Sequence, residues 1–320
     1  MSLIPLERLI GDLACPHCLG GLRPKGSGLS CSACRQSYRM AHGQPVLVDF
    51  EQSILVEQEV EASSGASIIR RRTGRSRAKA LLTRTLLPRN RAAPGNARRF
   101  AGIVRTLAKR PRVLVVGGGS QGEGTAPLLS DPSIDLVAFD LYATELTQFI
   151  ADAHQIPLAG ESVEGVWIQA VLEHVLDPWR VAGEIHRVLK PGGIVYAETP
   201  FLQQVHEGAY DFTRFTESGH RWLFRRFELV DSGVVLGPAS QLLWSIEHVV
   251  RGVTRSVRAG VAAKMMLFWL RYLDRLIPPA FASDAASAVF FLGRKAGPEA
   301  RPKDMIAFYR GAHGRRDQGS

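Results

Sequence analysis

Four cysteines stand in two pairs, Cys15-x2-Cys18 and Cys31-x2-Cys34, with twelve residues between the pairs. Each CxxC bends the chain so that two thiolates face one point, and two such knuckles make the tetrahedral four-thiolate shell that zinc prefers. Four thiolates leave no open coordination position, so the ion expected here is structural. Glycines at 20, 21, 26 and 28 let the intervening hairpin turn. A module of about 50 residues has little core of its own, so metal binding would supply much of its folding energy. Two readings compete with zinc. Paired disulfides need an oxidising compartment, and a redox CxxC comes singly on a βαβ unit.

A second cluster begins at VLVVGGGSQGEG, where an apolar run ends in Gly117, Gly118 and Gly119, followed by Ser120. At the carboxyl edge of a parallel sheet such a turn lets backbone approach a ligand closely. The glycine pattern alone is weak, because it serves many nucleotide sites, and its spacing departs from the dinucleotide fingerprint Gly-x-Gly-x-x-Gly. Asp140 ends the next apolar run, 21 residues after Gly119. An acid there can accept hydrogen bonds from ribose hydroxyls, or simply cap the strand end.

The third cluster, PFLQQVHEGAYDFTRFTESGHRWLF, gathers His206, Tyr210, Asp211, Arg214 and His220 among aromatics. It follows a strand end, so it can overhang the same ligand. His206 could act as a general base and Arg214 could hold an anionic group, with Tyr210 beside them. The alternative is a Tyr210–Asp211–Arg214 network that fixes the loop itself.

The elements that must position these residues read as a βα alternation from Arg112 onward. VLVV (113–116), DLVAF (135–139), QFIA (148–151), VEGVWI (163–168) and IVYAETP (194–200) read as strands. DPWRVAGEIHRVLK (177–190) reads as a helix, with Asp177 as N-cap, Pro178 at the first helical position and PGG as the stop. FELVDSGVVLG and ASAVFFLGRK read as two closing strands. This alternation predicts an α/β, mostly parallel sheet with helices on its faces.

Residues 112–200 resemble the class I S-adenosylmethionine-dependent methyltransferases, in the type 11-like subgroup that carries LEH and RVLKPGG. The resemblance rests on ADAHQIPLAGESVEGVWIQAVLEHVLDPWRVAGEIHRVLKPGGIVYAETP. It implies a Rossmann-like, mostly parallel seven-stranded methyltransferase sheet and S-adenosyl-L-methionine as cofactor. Carried over residue by residue, the glycine loop (Gly117, Gly118, Gly119, Ser120) would wrap the methionine and ribose. Asp140 would hold the ribose, Asp152 with Ala153 the adenine, and Gln169 and Ala170 would approach the methionine end. The LEH segment, Glu173 and His174 included, would chiefly pack and shape its loop. Three departures stand out: Val115 replaces the usual acid two residues before the loop, Gln121 replaces the third loop glycine, and LYATELT is too short for the usual helix after the second strand. The cysteine segment resembles the zinc-ribbon modules of small activator proteins that accompany methyltransferases. The competing reading is a non-catalytic zinc-ribbon interaction protein with a degenerate methyltransferase fold.

The 320 residues and 45% hydrophobic content exclude full disorder, collagen and coiled coil, and allow one to two domains. We expect a zinc ribbon over 1–50, a basic linker over 51–110, a methyltransferase core over 111–240, a helical amphipathic insertion over 241–284, a final core strand over 285–296 and a polar tail over 297–320. The net charge of +10 is uneven: 62–112 holds 15 Lys and Arg and no acid, which leaves the rest at −5. Solvated linker, RNA contact through phosphates and an anionic membrane surface are the three readings of that segment. The insertion, with Trp244, Met265, Met266, Phe268, Trp269 and Tyr272 beside several arginines, reads as a cover over the sheet edge and substrate pocket, a dimer face, or a surface lying on lipid. The chain starts without a basic-then-apolar leader and holds no run of about 18 apolar residues, so a cytoplasmic protein is expected, at most peripheral at the inner face of the membrane. The methyl acceptor is open: a small or lipid-linked molecule, or RNA.

Overall fold

The computed structural model describes residues 3–62, 90 and 92–315. The cysteine module comes first, as a three-stranded antiparallel sheet of β1 (Leu22–Lys25), β2 (Gly28–Cys31) and β3 (Ser37–Tyr38), followed by β4 (Met40–Ala41) and β5 (Gln44–Leu47). The core strands are β6 (Arg112–Val116), β7 (Asp135–Asp140), β8 (Phe149–Ala151), β9 (Val163–Gln169), β10 (Leu189–Pro200), β11 (Glu228–Leu236) and β12 (Ala288–Arg294).

These strands form one sheet in the order β11-β12-β10-β9-β6-β7-β8-β5-β4. Pairs from β5 through β10 are parallel, and β12 runs antiparallel to both its neighbours. The fold is the expected α/β, Rossmann-like one. Its central strands are buried on both faces, which is why they read as continuous apolar runs rather than as alternation. The sheet order reverses between β6 and β9, so the loops after these two strands diverge and leave a crevice at the carboxyl edge.

The sheet has nine strands rather than seven, because the N-terminal module is built into it. Only a short turn, with no helix in it, joins β7 to β8. β5 fills the gap by pairing with β8, with Val46 opposite Ile150 and Leu47 opposite Ala151. Val46, Val48, Leu55 and Val60 then close a small core with Ala143 and Ile150. Gln44 fastens the β7–β8 turn, donating to the carbonyls of Thr144 and Thr147 at 2.7 Å each. At the N-terminus, Ile4 N–H donates to the Leu136 carbonyl at 3.0 Å. The module is therefore a flank of the core and not a bead on a linker.

Part of the expected linker is also core. The helix Ala93–Val104 buries Ala97, Phe100, Ala101 and Val104, an i, i+3, i+4, i+7 stripe. Phe100 meets Trp167 edge to face at 5.4 Å, and Trp167 stacks on Tyr196 at 4.0 Å. The arginines on its other face misled the compositional reading. Of the basic segment, 63–89 and Arg91 lie outside the described residues, so its RNA and membrane readings rest on sequence alone. The insertion starts at Pro238 and consists of helices Pro238–Thr254 and Val257–Met266, a 3₁₀ stretch Phe268–Arg275 and the helix Pro279–Asp284. Asp274 caps its first helix, accepting from Ala239 N–H at 2.8 Å and Ser240 Oγ at 2.6 Å. The polar tail carries the helix Pro302–Phe308 and is pinned by Asp284, which accepts from Tyr309 Oη at 2.6 Å and Ala312 N–H at 2.8 Å. Among the described residues no helix is long and apolar enough to cross a membrane.

Candidate functional site

The four cysteine sulfurs lie within 4.8 Å of one another. Both knuckles turn alike: Leu19 and Arg35, each directly after the second cysteine of a pair, adopt positive φ (62° and 65°). Leu19 N–H donates to the Cys15 carbonyl at 2.8 Å, and Cys31 N–H to the Gln36 carbonyl at 2.8 Å. Desolvation raises the Cys31 thiol, but the N–H groups of Cys34 and Ala33 aimed at its sulfur outweigh it and bring the pKa down to about 6. Such amide donors favour the thiolate, the form that binds metal. The donor set fits a four-thiolate zinc ion.

At the carboxyl edge of the sheet lies a cavity of about 450 Å³. Its floor is the loop after β6, where Gly117 has φ +74°. A Cβ on Gly118 would sit 2.8 Å from Ala138, and one on Gly119 2.6 Å from the Asp140 carboxylate. The glycines are thus required by close approach of the loop to β7. Asp140 ends β7 and accepts from Gly119 N–H at 2.8 Å and Leu141 N–H at 2.7 Å, which ties the loop to the second strand. Ser120, Gln121 and Gly122 continue the wall.

Across the cavity, Asp152 and Ala153 follow β8. Asp152 is buried and accepts from His154 through its backbone N–H at 2.9 Å and Nδ1 at 2.6 Å, and from Ser53 Oγ. Desolvation raises its pKa, but these donors prevail and hold the carboxyl below the usual range. Ser53 stands just past the N-terminal module, at the start of the expected linker, and Ile54 beside it lines the cavity. The corner left uncovered by the missing helix is therefore closed by residues that no local pattern linked to it.

The third wall is β9 and β10. Gln169 ends β9 and donates through Nε2 to the Glu123 carbonyl at 3.1 Å, while its Oε1 is buried with no partner among the described residues. Ala170 follows with φ +54°, a left-handed conformation that costs energy in a residue with a Cβ. Glu198 on β10 was missed by sequence reasoning. It lines the cavity and accepts from Asn90 Nδ2 at 2.6 Å, Tyr196 Oη at 2.9 Å and Gln169 Nε2 at 3.3 Å. Burial pushes its carboxyl up to about 7 against these hydrogen bonds. An acidic residue within a strand otherwise buried on both faces was the available signal. Trp244 of the insertion also lines the cavity, as expected of a cover over the pocket.

The residues expected on the substrate side sit differently. His206, Tyr210 and Arg214 are not among the residues that line this cavity; His174 and Gln203 are. Arg214 spends its donors inside its own loop, on the carbonyls of Gln203 (2.9 Å), Thr213 (2.9 Å) and Gln204 (3.2 Å) and on both carboxylate oxygens of Asp211. That leaves no donor for a substrate anion, so its place is the loop-fixing network. Desolvation raises Asp211, yet Arg214 and the His206 N–H prevail and bring it to about 2. Tyr210 contributes its carbonyl, which faces His174 Nδ1 at 2.7 Å. His206 turns towards the buried Glu173, with Nε2 3.9 Å from Oε1.

Residues 114–197 match a family model described as a methyltransferase domain. No curated protein matches the chain. Solved structures similar to it include the [4+2]-cyclase SpnF, at 17% identity and a TM-score of 0.41, covering 65% of this chain and 83% of that one. A second is one chain of a complex containing the Haloferax volcanii Trm112 methyltransferase activator, at 17% identity and a TM-score of 0.44, covering 69% and 97%. A third is phosphoethanolamine N-methyltransferase 2 of Haemonchus contortus with phosphomonomethylethanolamine and S-adenosylhomocysteine, at 16% identity and a TM-score of 0.41, covering 71% and 59%. The family match thus falls on residues 114–197 of a Rossmann-like sheet, whose glycine loop and strand-end acid border one cavity, and that sheet is flanked by a four-cysteine module that fits a zinc ribbon.

Proposed function

We propose that the protein transfers a methyl group from S-adenosyl-L-methionine to an acceptor that enters beside His174 and Gln203. The observation that carries this reading is the Asp140–Gly119 clasp at the floor of the cavity: an acid at the end of β7 holds the glycine loop at its closest approach. Such a clasp presents a carboxylate to ribose hydroxyls. Gly117, Gly118, Gly119 and Ser120 would lie along the ribose and methionine, and Asp152 and Ala153 along the adenine. Gln169 and Ala170 would meet the methionine end, where the Gln169 Oε1 has no donor among the described residues.

Glu198 answers one departure from the family pattern. Val115 cannot pair with the ammonium of the methionine moiety, and Glu198 supplies a carboxylate on the same cavity wall. When bound, the sulfonium supplies an already activated methyl group, so the protein's share is alignment and exclusion of water. Ile54, Trp244 and the strained turn at Ala170 serve that share by closing the cavity and fixing its wall.

The test is titration calorimetry of the zinc-loaded protein with S-adenosylhomocysteine. One site per chain with micromolar affinity supports the reading. No binding in a folded sample would overturn it and leave the non-catalytic interaction protein.

A further inference from the structure

We propose a second metal site, outside the cysteine module, built from Glu173, His174 and His206. One oxygen or nitrogen from each of these residues lies within 4.8 Å of the others. Glu173 and His174 lie in a 3₁₀ turn after β9, and His206 stands in the loop after β10, 32 residues further on. Glu173 Oε1 is 3.7 Å from His174 Nε2 and 3.9 Å from His206 Nε2. The two rings meet edge to face at 5.1 Å.

The hydrogen bonds around the cluster set the tautomers. His174 Nδ1 lies 2.7 Å from the Tyr210 carbonyl, which can only accept, so Nδ1 carries the proton. His206 Nδ1 faces the Gln204 carbonyl at 3.3 Å and Asp211 Oδ2 at 3.4 Å, both acceptors, so it too carries the proton. In the neutral rings each Nε2 is then a lone pair turned towards Glu173. The Glu173 side chain is 1% exposed, and its Oε2 has no hydrogen-bond partner among the described residues. Two imidazole nitrogens thus face one buried Glu173 oxygen, at separations too long for a hydrogen bond. A cation at their centre satisfies all three.

Two imidazoles and one carboxylate, each imidazole oriented by a carbonyl or carboxylate on its other nitrogen, suit a divalent first-row transition ion and leave coordination positions open. Asp211, itself clamped by Arg214, takes the outer place behind His206. His174 also lines the cavity, which puts the ion at the edge of the site described above. The assignment stands on these side chains alone and does not depend on the methyltransferase reading.

The experiment uses the full chain with its cysteine module filled by zinc, which cobalt does not displace from thiolates at equilibrium. Co²⁺ is titrated in and followed by ligand-field absorption. One Co²⁺ per chain, without thiolate-to-cobalt charge-transfer bands, is the expected result. His206→Ala, a change in an exposed loop, and Glu173→Gln should each weaken Co²⁺ binding beyond the ~10–100-fold expected for Asp211→Asn, which removes only an outer-shell partner. No uptake by the zinc-loaded protein, or uptake unchanged in His206→Ala and Glu173→Gln, would overturn the site. S-adenosylhomocysteine binding measured on the same samples separates the two readings: Co²⁺ binding without it would sink the cofactor assignment alone.

Discussion

Replacing Glu198 by Gln should make the protein more stable and a poorer binder at the same time. The carboxylate is fully buried on β10, and burial lifts its pKa from the usual 4.5 to about 7. The folded state therefore holds a proton between these values that the unfolded chain releases. Stability falls as pH rises through that window, and above it the full penalty applies, about 3 kcal/mol for a shift of this size. Gln keeps an oxygen for Tyr196 and cannot ionise, so the penalty disappears. For a chain of this size each kcal/mol is worth roughly 2–4 °C. Thermal melts at pH 8 should show Glu198→Gln more stable by several degrees, with the gain gone at pH 4. The same change removes the carboxylate that β10 offers to the cofactor ammonium. A charge-assisted hydrogen bond is worth roughly 1.5–3 kcal/mol, so affinity for S-adenosylhomocysteine at pH 8 should fall about 10- to 100-fold. Wild-type affinity should itself weaken as pH drops below 7, and that dependence should vanish in the variant. A pH-independent difference in melting temperature would refute the burial argument; retained affinity would refute the ammonium pairing.

Other expectations follow from the same geometry. Asp140→Ala releases Gly119 and should weaken S-adenosylhomocysteine binding at least ~10-fold with little loss of fold, since it removes a charge-assisted hydrogen bond; Asp152→Ala should weaken it too, by freeing Ser53 and the cavity edge beside it. Calorimetry showing unchanged affinity in both would sink the site assignment. Cys15→Ser should release zinc and, because β5 completes the sheet, lower the melting temperature of the whole domain. Stoichiometric zinc in the variant by elemental analysis would count against the four-thiolate site. Phe100→Ala opens a hole beneath Trp167 and should cost roughly 3–5 kcal/mol, measured by urea denaturation. A cost below about 1 kcal/mol would mean that the helix Ala93–Val104 is an appendage after all.

Much of the site was legible because its signals are local. A CxxC knuckle, a glycine turn after an apolar run and an acid at the next strand end are each decided within a few residues, where neighbouring backbone geometry does the deciding. The same holds for β6, β7, β9 and β10, whose burial on both faces leaves apolar runs at their centres. The helix Ala93–Val104 escaped because its apolar stripe is interrupted by arginines that lie on the solvent side, and composition weighs both faces together.

The features that local sequence leaves open depend on distance along the chain. Ser53 meets Asp152 across 99 residues, and Asn90 meets Glu198 across 108. Pairings of that separation are set by which elements pack side by side, and nothing in either local sequence announces them. The docking of β5 on β8 is of the same kind: both strands are short and apolar, and the partner follows from the missing helix between β7 and β8. So too with Glu173, His174 and His206. Local sequence places these residues at the loop ends of the sheet; the packing of the loop after β10 against the turn after β9 makes their ligand atoms converge on one point.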